Sequence, residues 1–307
     1  LAWSSAASDV YKRQMYYNTS GNNNIACGYR SLLFNTTGNS NIAIGTHALF
    51  KNTHRSHLVA IGDSALHRNI LGEDNVAIGS KALLSNIDGC ENTAVGTHAL
   101  TSNRFGYENT AIGAKALDEN ISGVKNVAIG TDALGHNTLA SDNTAVGTGA
   151  MRSNLTGHGN AAVGTASLSS NTDGIYNVAV GIYAMYDNTS GSGNTAVGSE
   201  ALNDNTTGDA NTAIGWEALL QNTEGAGNTA VGVGAIANNI TGDDNTANGV
   251  GALSENTSGY RNTANGAYAL MGNESGNMNV AAGYEAMLFN ESGNSNVAIG
   301  SYALWYN

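Results

Sequence analysis

One short motif returns every 17 residues through almost the whole chain. This strict period constrains the fold more than any other feature. Take the Asn of Asn24-Ile25-Ala26-Cys27-Gly28 as position zero. The same position then falls at Asn41, Leu58, Asn75 and onward to Asn296, with no insertion. That makes 17 copies, preceded by half a copy from Met15 to Asn23. A fixed period of this size belongs to a solenoid or array, in which each unit buries its apolar side by stacking on its neighbours.

Within the unit some positions hardly vary. Position two is Ala and position four is Gly in all 17 copies. Position three is Ile or Val in 13, position eight is Leu in 13, and position eleven is Asn in all 17. Position fourteen is Gly in 14 of 16, with Arg55 and Ala140 departing. From residue 15 onward, every Asp, Glu, Lys and Arg sits at positions five, six, nine, ten or twelve to sixteen. Charged side chains are almost never buried unless paired. The charge-free positions are therefore the constrained interior, and the sequence serves as its own alignment.

The fold expected is all-β, a β-solenoid of 17-residue rungs. Positions zero to four are expected to form a short strand, with Gly at four ending it or allowing a sharp bend. Positions five to eleven could be a second strand or a short helical turn, which Ala, Leu, Glu and Lys favour. Positions eleven to fourteen read as a turn, with Gly supplying a positive φ. Leu at position eight should form one buried column beside the Ala at position two. Alternation directs positions one and three away from zero, two and four. One of these faces must point inward. The other is uncharged and is expected to meet a partner.

Asn at position eleven is expected to form a ladder of stacked amides. Its members are Asn35, Asn52, Asn69, Asn86, Asn103, Asn120, Asn137, Asn154, Asn171, Asn188, Asn205, Asn222, Asn239, Asn256, Asn273 and Asn290. The plainer reading is a turn residue that tolerates left-handed φ. Several of these Asn lie in Asn-x-Ser/Thr sequons, but a buried ladder could carry no sugar, so turn chemistry explains the Ser or Thr better.

Catalytic signals are sparse. No nucleophile elbow, phosphate loop or dinucleotide fingerprint stands in a strand–turn–helix context. His54, His57 and His67 lie in neighbouring rungs, but solvated histidines are the commoner outcome and nothing completes a metal set. Cys27 and Cys90 lie three rungs apart, too far to bridge, and should be free thiols. No catalytic, cofactor-binding or metal-binding residue is assigned, and an enzyme is the least expected class. The chain has 12 Lys and Arg against 24 Asp and Glu, a net charge of −12, which argues against nucleic acid as a partner. No apolar run reaches the ~20 residues of a membrane helix.

The copy around Leu58 breaks the pattern. Arg55 replaces the position-fourteen Gly and Leu58 the position-zero Asn. A kinked or mobile corner is expected between Thr53 and Leu58, with Asn41 and Asn75 each short of a partner. Residues 1–14, which fit no position of the repeat, read as a leader outside the native structure. The single array then runs over 15–307 and stops mid-repeat, as a fragment of something longer would.

The stretch Asn194-Thr195-Ala196-Val197-Gly198 through Ala201 resembles the head repeats of trimeric autotransporter adhesins and the arrays of phage tail-fibre-like and bacterial surface proteins. The resemblance implies a non-enzymatic, extracellular β-roll that self-associates. The function expected is a structural extracellular fibre or adhesin-like shaft built from identical chains, as a homotrimer or filament. The alternative is a binding module. It would take surface glycans through scattered Tyr, or ice through the position-one row Thr195, Thr212, Thr229, Thr246 and Thr263.

Overall fold

The computed structural model describes residues 13–306, so residues 1–12 of the expected leader lie outside it. The chain divides into two compact units, Leu1–Thr156 and Gly157–Asn307. Each is an all-β parallel solenoid. The first carries strands β1 (Ile25–Cys27) to β8 (Thr144–Val146), and the second β9 (Ala161–Val163) to β17 (Val297–Ile299). Every strand has three residues and fills positions one to three. Within a unit the pairing is parallel and in register, so that Thr195, Ala196 and Val197 face Thr212, Ala213 and Ile214.

Inter-rung bonding continues past the strands. Gly215 N–H donates to the Val197 carbonyl (2.9 Å), Glu217 to Ser199 (3.1 Å), Leu202 to Ala218 (2.9 Å) and Asp204 to Leu220 (2.9 Å). The expected short helical turn is absent: no helix occurs among the described residues. Positions four to eleven form two successive turns, closed by Ala201 N–H to the Gly198 carbonyl and Asn205 N–H to the Leu202 carbonyl, both 3.4 Å. Backbone angles explain why. Position six is left-handed, as at Glu200 (φ 57), and so is position eight, as at Leu202 (φ 55). An α-helix cannot run through alternating signs of φ.

A bulky residue in this region costs roughly 1–2 kcal/mol. Full burial of its side chain returns about 1.5–3 kcal/mol. Leu202 and Leu219 are both 0% exposed, as are the neighbouring Ala196, Ala201, Ala213 and Ala218 at positions two and seven. The position-eight column is thus the apolar core, with Ala on both sides of it.

The two invariant glycines have different causes. At position four φ runs from 119° to 142°, so the backbone itself requires Gly. At position fourteen φ is not positive, contrary to the sequence expectation. There the requirement is space. A Cβ on Gly208 would lie 2.4 Å from the Gly225 carbonyl oxygen and 2.5 Å from Asn205 Oδ1.

This distinction corrects the expectation for Arg55. With no left-handed φ to maintain, Arg55 keeps the amide contacts of the common corner, but the inter-rung bonds that Thr206 and Thr207 N–H donate to the Thr223 carbonyl have no counterpart from Thr53 and His54. Asn52 Nδ2 donates to the Arg55 carbonyl at 3.0 Å and Asn41 Nδ2 at 2.9 Å, as Asn205 and Asn194 do to Gly208. Asn41 keeps a partner too, since its Oδ1 accepts from Leu58 N–H at 3.0 Å. The defect falls on the amide ladder instead. At Gly208 an added Cβ would point at the Oδ1 of the Asn three residues earlier, and in the Arg55 rung that oxygen, Asn52 Oδ1, is buried with no hydrogen-bond partner. At Ala140, the other departure, the bond from Asn154 Nδ2 to Asn137 Oδ1 is stretched to 3.2 Å.

Arg55→Gly should therefore stabilise the protein. The orphaned oxygen costs about 1–3 kcal/mol, while a new Gly costs roughly 0.5–1 kcal/mol of chain entropy. The exposed ion pair of Arg55 with Glu73 (2.9 Å) weighs little. A net gain of about 1 kcal/mol is expected in denaturant unfolding, with slower amide exchange in the rungs of Asn52 and Asn69. An unchanged midpoint would show that the Cβ is not what breaks the ladder.

Candidate functional site: an amide ladder, an uncharged strand face and two aromatic patches

The position-eleven asparagines stack along each unit. Their Nδ2 groups donate to the Oδ1 one rung earlier, as from Asn103 to Asn86 (3.0 Å), Asn120 to Asn103 (2.8 Å), Asn205 to Asn188 (2.7 Å) and Asn256 to Asn239 (2.8 Å). Each also donates to the position-fourteen carbonyl of its own rung, as Asn222 does to Gly225 at 2.9 Å. That carbonyl receives a second amide from position zero, as from Asn211 at 2.8 Å. A second ladder runs at position zero, where Asn211 N–H donates to Asn194 Oδ1 at 2.8 Å. These side chains are buried and consumed by one another, so their chemistry is structural. Nine sequon asparagines at position eleven, Asn205 among them, are buried. Asn18, at the start of the array, is half-buried. The sugar attachment point is closed at the nine.

Position zero and two side chains point inward, so positions one and three form the outward face. Its apolar groups are open: Ile112 is 40% exposed, Ile214 41% and Val197 38%. No charged residue lies at any strand position. In unit 2 the row Thr195, Thr212, Thr229, Thr246 and Thr263 runs along the same face in register.

The sequence did not reveal two aromatic patches, because most of their contacts join rings 16 to 18 residues apart, at variable positions of neighbouring rungs. In unit 1, Tyr17 stacks on Phe34 (5.3 Å between ring centres), Phe34 meets Phe50 edge-on (5.1 Å), and Phe50 stacks on His67 (5.0 Å). His47 joins Phe50 to Tyr29. In unit 2, Tyr284 meets Tyr268 (6.3 Å) and Tyr302 (5.5 Å), Trp305 lies beside Tyr302, and Phe289 stacks on Tyr306 (5.0 Å). Both patches use positions five, six, nine and ten. Burial lowers the His67 pKa below its ordinary 6.5; a hydrogen bond to the His47 backbone opposes this, and the charges of His47, Lys51 and Arg68 add to the lowering. A hydrogen bond to Glu285, reinforced by its charge, pushes the Tyr284 phenol up to about 12.

The three histidines of neighbouring rungs do not converge. His54 Nδ1 sits 3.0 Å from the Thr36 hydroxyl, His57 Nδ1 lies 3.7 Å from Asp74, and His67 stacks on Phe50. Among the described residues no group of three His, Cys, Asp or Glu could hold a metal ion. Cys27 is exposed on the strand face, Cys90 is half-buried, and both are free. Among the described residues no helix is long and apolar enough to cross a membrane. Neither a protein-family model nor a curated protein matches the chain.

Proposed function

We propose that this chain is a non-catalytic, surface-exposed shaft of the adhesin or fibre kind that assembles with copies of itself. The observation that carries the reading is the outward strand face, open to solvent in both units yet free of charge in every rung. Large uncharged apolar surfaces on a folded protein mark contact sites. The interior offers no competing chemistry, since its polar groups are committed to the ladders. Repeated rungs also suit a shaft, because stability adds rung by rung. The resemblance to autotransporter heads and tail-fibre arrays supports an extracellular setting and association into trimers or filaments.

Sedimentation of the full chain tests this. The wild type should associate, and Val197→Lys, Ile214→Lys and Val231→Lys together should weaken association by at least about a hundredfold, since three ammonium groups would have to be desolvated. Circular dichroism should stay unchanged, because these side chains point outward. A wild type that remains monomeric at high concentration sinks the reading. Thermal hysteresis from such a monomer would turn attention to lattice binding by the threonine row.

A further inference from the structure

The two aromatic patches occupy equivalent places on their rungs but carry opposite charge. Between residues 13 and 68 the cations are Arg13, Arg30, Lys51, Arg55 and Arg68 and the acid is Asp63; Arg55, at position fourteen, is paired with Glu73, which leaves Arg13, Arg30, Lys51 and Arg68 at the patch positions. Between residues 255 and 306 the acids are Glu255, Glu274, Glu285 and Glu291, and the only cation is Arg261. Several of these charges border the rings directly. Lys51 follows Phe50, and Arg68 follows His67. Glu285 follows Tyr284, and its carboxylate holds the Tyr284 hydroxyl. Apart from Tyr183 with Tyr186 and His158 with Tyr176, every ring–ring contact among the described residues belongs to one of the two patches.

Aromatics open or half-open to solvent at a site of one sign, matched by exposed aromatics at a site of the other, satisfy both requirements of a protein interface. The rings supply buried area at low entropic cost, and the charges select and orient the partner. Like copies of either patch would repel each other, so a contact of each patch with itself is disfavoured. The partner that matches is the other patch on another copy. Such a contact joins two different surfaces and is heterologous, extending chains or closing rings according to its rotation.

We propose that the basic aromatic patch around Phe50 and His67 of one chain docks on the acidic aromatic patch around Tyr284, Tyr302 and Trp305 of a second copy. The inference rests on the self-assembly reading for its partner alone. The surface is distinct from the strand face.

Charge reversal on the full chain tests it. One variant carries Lys51→Glu and Arg68→Glu, the other Glu255→Lys and Glu285→Lys. Folding should tolerate all four, because Glu occupies position ten at Glu119 and Lys occupies position six at Lys81 and Lys115. In sedimentation at low salt each variant alone should associate at least about tenfold more weakly than wild type. An equimolar mixture should regain wild-type association, because each variant then finds an opposite charge. Wild-type association through the patches should also weaken at about 1 M NaCl, where the Debye length is about 3 Å. A mixture no better than its parts overturns the proposal, as does wild-type association by both single variants. The triple-lysine strand-face variant separates the two readings. Salt-sensitive association that survives in it belongs to the patches. Salt-insensitive association that survives in the charge-reversed variants belongs to the strand face.

Discussion

Gly215→Ala should be among the most damaging single-methyl substitutions available in unit 2, at about 3–5 kcal/mol. Two independent costs meet there. The backbone stands at φ 135°, which an L-residue with a side chain rarely adopts. The new Cβ would also lie 2.5 Å from the Gly232 carbonyl oxygen and 2.7 Å from its carbon. Those atoms are backbone and are held in the inter-rung ladder, where Gly232 N–H donates to Ile214 at 2.8 Å. No side chain can swing away to make room. Gly234→Ala, two residues along the next rung, provides the control. Its φ is 61°, nothing lies within 4 Å of the added methyl, and side chains fill this position in most rungs. It should cost about 1 kcal/mol or less. Denaturant unfolding measures both, and hydrogen exchange should place the damage of Gly215→Ala in the rungs of Gly215 and Gly232. Equal effects from the two alanines would show that the close approach at position four is not what demands glycine.

The interior of this fold was readable because the repeat samples one environment 17 times. Absence of charge at positions two, seven, eight and eleven is what alignment would supply for another protein, and all four are buried. The parallel stacking followed from the unbroken 17-residue step. The course of the backbone between strands was not readable in the same way. Left-handed φ leaves a trace at positions six and sixteen, where Gly149, Gly234 and Gly251, or Gly159, Gly193 and Gly227, alternate with polar residues. At position eight it leaves none. That position holds Leu, Met or Ile236 because the core needs volume there, and the demand for volume hides the demand on φ. At position fourteen the error ran the other way. Gly reads as a conformational requirement when its cause is contact with the neighbouring rung. Arg55 and Ala140 carried the clue, since a residue with a Cβ can take an ordinary φ and crowd an amide, as both do. The aromatic patches needed side-chain directions as well as the register. Phe50 and His67, or Phe289 and Tyr306, share a position in successive rungs and are stacked by the 17-residue step, but contacts between different positions, as of Phe34 with Phe50 or Tyr284 with Tyr302, depend on where the rings turn.

The ladder itself should respond unevenly to the loss of one amide. Asn205 makes three side-chain bonds. Nδ2 donates to Asn188 Oδ1 (2.7 Å) and to the Gly208 carbonyl (3.0 Å), and Oδ1 accepts from Asn222 Nδ2 (2.9 Å). Asn205→Leu keeps the volume close and removes all three. The Gly208 carbonyl retains a second donor in Asn194, at 2.8 Å. Asn188 Oδ1 loses the ladder donor, and one hydrogen of Asn222 loses its acceptor. Two orphaned groups in a dry interior should cost about 2–5 kcal/mol. Asn52→Leu should be milder. Asn52 Oδ1 has no partner to begin with, so the rung of Asn69 loses nothing, and the bond to Asn35 is already stretched to 3.2 Å. The expected difference is about 1–2 kcal/mol, the cost of one orphaned group. It should vanish in an Arg55→Gly background, where Asn52 regains its place in the column. Unfolding free energies for the two leucine variants, with and without Arg55→Gly, measure this coupling. If Asn52→Leu costs as much as Asn205→Leu in the wild-type chain, the amides are bonded independently to their turns, and the stacked ladder contributes nothing of its own.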